Sequence, residues 1–250
     1  MNSLKYLSLK NNSIKIIYDF MFSNLIWFDI SSNNVSTIYE TSLKNVSSLS
    51  IDYSSLVSFK DLSYDFFNLH ILHLRNQKII KINQNSLKGL YSKIDLSFNL
   101  LISRSFELNS FGYLPYLKEI SFSKNLIDFL NFDNAFQFNM TEMKLLNFEM
   151  NKISSIRKGF FTKYPNLNML LLSHNHFAFI KKDYSAYLER LEYLNLSNNQ
   201  ILTIDDKTFE NLGSLVYLNL SDNLIYDLSQ SLFTNLSKLE FLILSENKLE

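Results

Sequence analysis

The chain has 250 residues, with 24 lysines and arginines against 24 aspartates and glutamates, and no cysteine. A formal net charge of zero, without a block of five like charges, argues against a nucleic-acid partner, whose phosphates attract clustered basic residues. The lack of cysteine excludes disulfides, thiolate metal sites and cysteine nucleophiles.

With 46% hydrophobic residues a large core can form, yet four glycines, two prolines and three alanines leave little for long irregular loops or a helical bundle. Thirty asparagines are the unusual feature; part of that number reflects coding bias, and much of it is positional. The longest apolar runs, such as Met169 to Leu172, fall far short of the roughly 18 residues of a membrane span.

From its first residues the chain reads as one repeated unit, LxxLxLxxNxL, with Leu4, Leu7 and Leu9 already in repeat positions and no secretory leader ahead of them. A polar anchor recurs at Asn12, Asn33, Ser54, Gln77, Asn99, Asn125, Asn151, Asn175, Asn199, Asn223 and Asn247, in steps of 21, 21, 23, 22, 26, 26, 24, 24, 24 and 24. Ser54 and Gln77 depart from asparagine, and Arg104 stands where an aliphatic residue is expected. The two 26-residue steps insert residues around 105–111 and 133–138. Regularity is greatest from Asn151 to Asn247, and the chain stops at Glu250, just after Leu249. The expectation is a single array over residues 1–250, uncapped at both ends and internal to a longer protein.

Each position of the unit has a physical task. In Leu194-Asn195-Leu196 the leucines point inward and Asn195 outward, because strand side chains alternate. Successive short strands then pair into a parallel sheet on a concave side. The anchor amide can satisfy turn backbone groups that would otherwise be buried without partners. Ile201 and Ile204 return to the core. On the convex side Phe209 and Leu212 fill the back of the coil, with Phe22, Leu43, Leu87, Phe161 and Phe233 in the same spine.

The outward position before the second leucine carries Tyr6, Trp27, Ser48, Ile71, Lys93, Glu119, Leu145, Met169, Tyr193, Tyr217 and Phe241. The next outward position ends in Leu171, Asn195, Asn219 and Ile243. Together Leu145, Met169, Leu171, Tyr193, Tyr217, Phe241 and Ile243 form one outward apolar patch on the concave face. Such a patch is a candidate ligand- or partner-binding surface. Cross-strand packing that merely supports the sheet is the competing reading. The earlier face, with Trp27, Asp29, Asp52, His73 and Asp95, is more polar and is the weaker candidate.

Seven Asn-x-Ser/Thr sequons occur, at Asn11, Asn34, Asn45, Asn139, Asn195, Asn219 and Asn235, a number close to chance expectation. Asn195 and Asn219 follow from the repeat itself. Asn45, Asn139 and Asn235 each precede a convex apolar residue, so they are the glycosylation candidates, with glycans projecting from the back. Catalytic motifs are lacking. Strand alternation predicts that His70 and His73 face opposite sides. His174 and His176 flank an anchor without acidic or cysteine partners, so no metal site is expected. Ser173 beside His174 is a repeat position and not part of a triad. No cofactor and no enzymatic activity are expected.

The full pattern LxxLxLxxNxLxxIxxxxFxxLxx resembles the typical class of leucine-rich repeat, and its unequal steps are similar to those of Toll-like receptor ectodomains. The resemblance implies an α/β leucine-rich-repeat solenoid of about eleven registers of 21–26 residues. It would be curved, with a parallel sheet on the concave face and an irregular, 3-10 or short-helical convex side. It implies a non-catalytic recognition scaffold of a cell-surface receptor in innate immunity or signal transduction, extracellular or secreted. The partner would be a protein or other extracellular ligand on the concave face, with membrane attachment only through flanking segments and a receptor dimer among its assemblies. The alternative is an intracellular, cytoplasmic adaptor that docks a protein.

Overall fold

The computed structural model describes residues 3–18, 24–38, 43, 45–56, 68–84, 87, 91–136 and 138–250. Phe22, one of the expected spine residues, lies outside them. The chain divides into two compact units, Met1–Phe122 with Asn134–Phe138, and Ser123–Asp133 with Asn139–Glu250.

The first unit carries six three-residue strands, Tyr6–Ser8, Trp27–Asp29, Ser48–Ser50, Ile71–His73, Lys93–Asp95 and Glu119–Ser121. Neighbours in sequence are neighbours in space and run parallel, with the middle residues Leu7, Phe28, Leu49, Leu72, Ile94 and Ile120 in register. The second unit repeats this with Leu145–Asn147, Met169–Leu171, Tyr193–Asn195, Tyr217–Asn219 and Phe241–Ile243. The pattern fixes the geometry. One apolar residue between two outward ones gives a strand that buries only its centre, and Leu49, Ile94, Ile120, Leu146 and Leu218 are each 0% exposed. No coil can cover that apolar edge alone, so each is stabilised by stacking on its neighbours.

The anchors complete the stacking. Asn199 Nδ2 donates to the carbonyls of Leu196 (3.0 Å) and Ser197 (3.2 Å) in its own coil and of Leu172 (3.1 Å) in the coil before, while Oδ1 accepts from Phe177 N–H at 3.2 Å. Asn33, Asn99, Asn175 and Asn223 repeat the arrangement. Gln77 preserves it: its amide nitrogen donates to the carbonyls of Ile51 and Arg75, and its oxygen accepts from Leu56 N–H. Ser54 cannot, because its short side chain leaves a buried Oγ with no hydrogen-bond partner among the described residues.

The residue before the anchor is left-handed in all eleven registers, with φ between 50° and 58°. Asn11, Asn76 and Asn198 suit that conformation, whereas Tyr53, Phe98 and Met150 adopt it against the preference of bulky side chains.

Return segments are extended pairs, such as Phe179–Ile180 with Thr203–Ile204, and single 3-10 turns, such as Phe160–Lys163 and Lys182–Tyr184. Among the described residues none forms an α-helix. Leu43, Leu87, Phe161 and Phe209 are buried as the spine requires, and Phe209 stacks on a half-buried Phe233 at 6.2 Å between ring centroids. The first 26-residue step resolves the anomaly at Arg104. A 3-10 turn at Ser103–Ser105 exposes Arg104, and Phe106 takes the inward place beside Phe111 and Phe122.

Candidate sheet-face recognition site

In the second unit the seven predicted patch residues fall on the outward side of consecutive strands. Leu145 pairs with Met169, Met169 with Tyr193, Tyr193 with Tyr217 and Tyr217 with Phe241; the parallel row brings together Asn147, Leu171, Asn195, Asn219 and Ile243. Leu145, Met169, Leu171, Tyr193, Tyr217 and Ile243 are half-buried, and Phe241 is 55% exposed. The rings form a graded stack. Tyr193 and Tyr217 lie parallel within 2° at 4.2 Å, and Tyr217 meets Phe241 at 6.0 Å and 40°. Parallel strands impose a spacing of about 4.8 Å, close to the separation at which aromatic rings attract. The stack therefore contributes to sheet stability while its rings remain partly exposed.

Burial pushes the Tyr193 hydroxyl up to about 12, assisted by the neighbouring Tyr217 hydroxyl and by the charge of Glu149. At neutral pH Tyr193 thus stays a protonated donor. Glu149 is a member of this site that the two outward rows do not include. It belongs to a third row, two residues before each anchor, and accepts from Ser173 Oγ at 2.7 Å. Its signal in sequence is the break it makes in an otherwise serine-rich position, occupied by Ser173, Ser197 and Ser221.

The asparagines of the second row are engaged with the backbone. Oδ1 of Asn147, Asn195 and Asn219 accepts from the N–H two residues on, at 2.9, 3.1 and 2.9 Å. Two sequons are therefore tied into the sheet. Asn45, Asn139 and Asn235 are exposed, each followed by a buried residue, Val46, Met140 and Leu236. Asn235 Nδ2 makes a 3.3 Å bond to the Glu210 carbonyl beside a surface groove lined by Lys207, Glu210 and Ser231.

The first unit presents a different face. Asp29, Asp52, His73 and Asp95 are drawn into a polar network that also enlists Arg75, Ser31 and Ser97. Arg75 N–H donates to Asp52 at 2.7 Å, Asp52 N–H donates to Ser31 Oγ at 3.1 Å, and Ser97 Oγ donates to Asp95. Asp95 lies 3.9 Å from His73 Nδ1 and 3.7 Å from Arg75 Nε, and the Arg75 guanidinium sits over the Phe98 ring. Burial raises the Asp95 carboxyl, but the nearby His73 ring, hydrogen bonds from Ser97 and the Arg75 charge more than offset it and hold it below the usual range. Burial dominates at Asp52, whose carboxyl is raised. Trp27 lies half-buried on the same face, apart from this network.

The histidines are placed differently from the alternation rule. His70 precedes the strand, is exposed, and pairs with the Asn68 carbonyl at 2.7 Å; pleat alternation starts only at Ile71. His176 pairs with Gln200 Nε2 at 3.1 Å. Among the described residues no three His, Asp or Glu side chains converge as a metal cage, and no helix is long and apolar enough to cross a membrane. A cavity of about 20 Å³ in the second unit's core, lined by Leu170, Leu194, Phe177 and Phe209, has room for roughly one water. A small-molecule ligand does not fit there.

The leucine-rich-repeat family profile matches residues 189–249. Chicken (Gallus gallus) lumican is 30% identical over 189 residues, covering 69% of this chain and 51% of its own length. The chain thus spans about half the length of such curated relatives. Among solved structures, a leucine-rich-repeat protein of Leptospira interrogans superposes with a TM-score of 0.75 at 25% identity, over 92% of this chain and 57% of its own. A chain of the Drosophila Toll–Spatzle complex gives 0.71 at 20% identity, over 90% of this chain and 32% of its own. Stacked parallel strands, the asparagine ladder and these matches together place the chain in the leucine-rich-repeat class of proteins.

Proposed function

We propose that the chain is a non-catalytic scaffold that recognises a protein partner across the sheet face of its second unit, as part of a Toll-like or related cell-surface receptor. The observation that carries this reading is the in-register apolar row from Leu145 to Phe241, flanked by Leu171 and Ile243. Monomeric proteins seldom leave so continuous a strip of apolar side chains facing water. Tyrosines supply large, rigid contact area with a hydroxyl for orientation. The solved Toll–Spatzle complex supports the protein-binding part of the reading through a related fold. An extracellular or lumenal location accords with that resemblance. Glycans at Asn45, Asn139 and Asn235 would sit opposite the sheet and leave its face free.

The test is binding of the source organism's secreted proteins to the wild-type chain and to Tyr217→Ser and Phe241→Ser variants. Each variant is expected to weaken a detected interaction by about tenfold or more, as truncated aromatic anchors do, with little change in melting temperature. Loss of stability with unchanged binding would assign the rings to sheet packing. Expression through the secretory route followed by glycan removal should lower the mass, and Asn235→Gln should abolish one such step.

A further inference from the structure

We infer that the occupant of the second unit's sheet face is a protein segment whose apolar stripe is bordered by lysine or arginine side chains. This rests on the reading of that face as a recognition surface, and adds the charge of what it receives.

In the row just before each strand and the row two residues before each anchor, the charged residues of this unit are Lys144, Glu149, Glu192 and Glu240, three carboxylates against one ammonium. None of the three carboxylates has a basic partner among the described residues. Glu149 accepts from Ser173 Oγ, and Glu192 accepts from Asn168 Nδ2 at 3.2 Å. The ion pairs described in this unit, Arg157–Asp133, Lys158–Asp183 and Lys182–Glu210, all lie on its return side. On the first unit's sheet the same kind of position is neutralised internally: Lys93 pairs with Glu119 at 2.8 Å, and Arg75 approaches Asp95. Glu149, Glu192 and Glu240 beside the aromatic strip are therefore left without cations where Asp95 and Glu119 on the polar face have them.

A partner settling on the strip strips water from its borders. A carboxylate dehydrated there without a counter-charge is costly, and an acidic border on the partner adds repulsion. Basic side chains remove both penalties, and their methylene stems extend the apolar contact. The five outward residues from Leu145 to Phe241 repeat at the strand spacing of about 4.8 Å. A helix repeats its apolar side at about 5.4 Å per turn, so an amphipathic helix of four or five turns can set one side chain on each strand.

Two synthetic helices serve as probes, with the same leucine stripe but lysine borders in one and glutamate borders in the other. The lysine helix should bind the full chain and the glutamate helix should not. Binding should weaken as salt shortens the screening length from about 10 Å to about 3 Å. The combined variant Glu149→Gln, Glu192→Gln, Glu240→Gln should bind the lysine helix about tenfold more weakly, mainly through a slower association rate. Its melting temperature should not move, since glutamine keeps the bond to Ser173. Equal binding of the two helices, or undiminished binding by the triple variant, overturns the charge assignment while loss of binding in Tyr217→Ser preserves the surface. Undiminished binding by Tyr217→Ser overturns the surface reading itself.

Discussion

The two units use one inward code and present opposite outward chemistry. Leu49 and Leu218 occupy equivalent strand centres and are equally buried, and Asn99 and Asn223 make the same ladder of bonds. One residue to either side of those centres the likeness ends. The first unit draws Asp52, His73, Arg75 and Asp95 into a polar network, and the second sets out a column of apolar and aromatic groups bordered by carboxylates without a basic partner among the described residues. Folding constrains the positions that touch the next coil and leaves those facing water nearly free, so outward chemistry can differ while inward chemistry stays constant.

The comparison can be broken first at its shared core. Leu49→Ala and Leu218→Ala should each cost about 2–5 kcal/mol, measured by urea unfolding. Trp27, the chain's one tryptophan, reports on the first unit by fluorescence. A much smaller cost at one site would show that the units are not held alike. Next is the ladder. Asn199→Ala removes the bonds to Leu172 O, Leu196 O and Phe177 N–H and should cost roughly 1–3 kcal/mol. Ser54→Asn restores a missing rung and should stabilise by up to about 1 kcal/mol. A destabilised Ser54→Asn would mean that the first unit has adapted to its gap.

A smaller, pH-dependent effect sharpens the contrast between the faces. The folded Asp95 carboxyl lies below its ordinary value, so its stabilising contribution is present above about pH 4, the unfolded value, and disappears as pH falls through the folded one. Asp95→Asn should therefore lower the melting temperature at neutral pH and cease to do so in strong acid, an effect within about 1 kcal/mol for a partly exposed pair. Asp52 has the opposite sign: its raised carboxyl opposes folding when ionised, and that opposition fades as pH drops through its folded value. Asp52→Asn should thus be neutral or stabilising at pH 7.

Much of this was legible in the sequence because the repeat states the inward chemistry eleven times. Strand centres, anchors, the spine at Phe209 and the outward rows follow from spacing alone. Elsewhere the spacing misleads or says nothing. Arg104 holds the aliphatic slot in a count from the anchor, but a 3-10 turn lets Phe106 replace it. Gln77 and Ser54 look like equal departures, yet only the longer amide reaches two coils at once. The left-handed residue before each anchor carries no single residue type, so composition at that position conceals a uniform backbone. Glu149 and Arg75 acquire meaning only from the coils beside them, which a linear pattern does not bring together.

The amide rungs also have a direction. Asn175, Asn199 and Asn223 each reach from their own turn to the carbonyl and the N–H of the coil that precedes it. A coil's turn is therefore finished by its successor. A chain leaving the ribosome from its amino end makes these pieces in the order in which each newcomer locks the last, so the direction of the rungs matches the direction of synthesis.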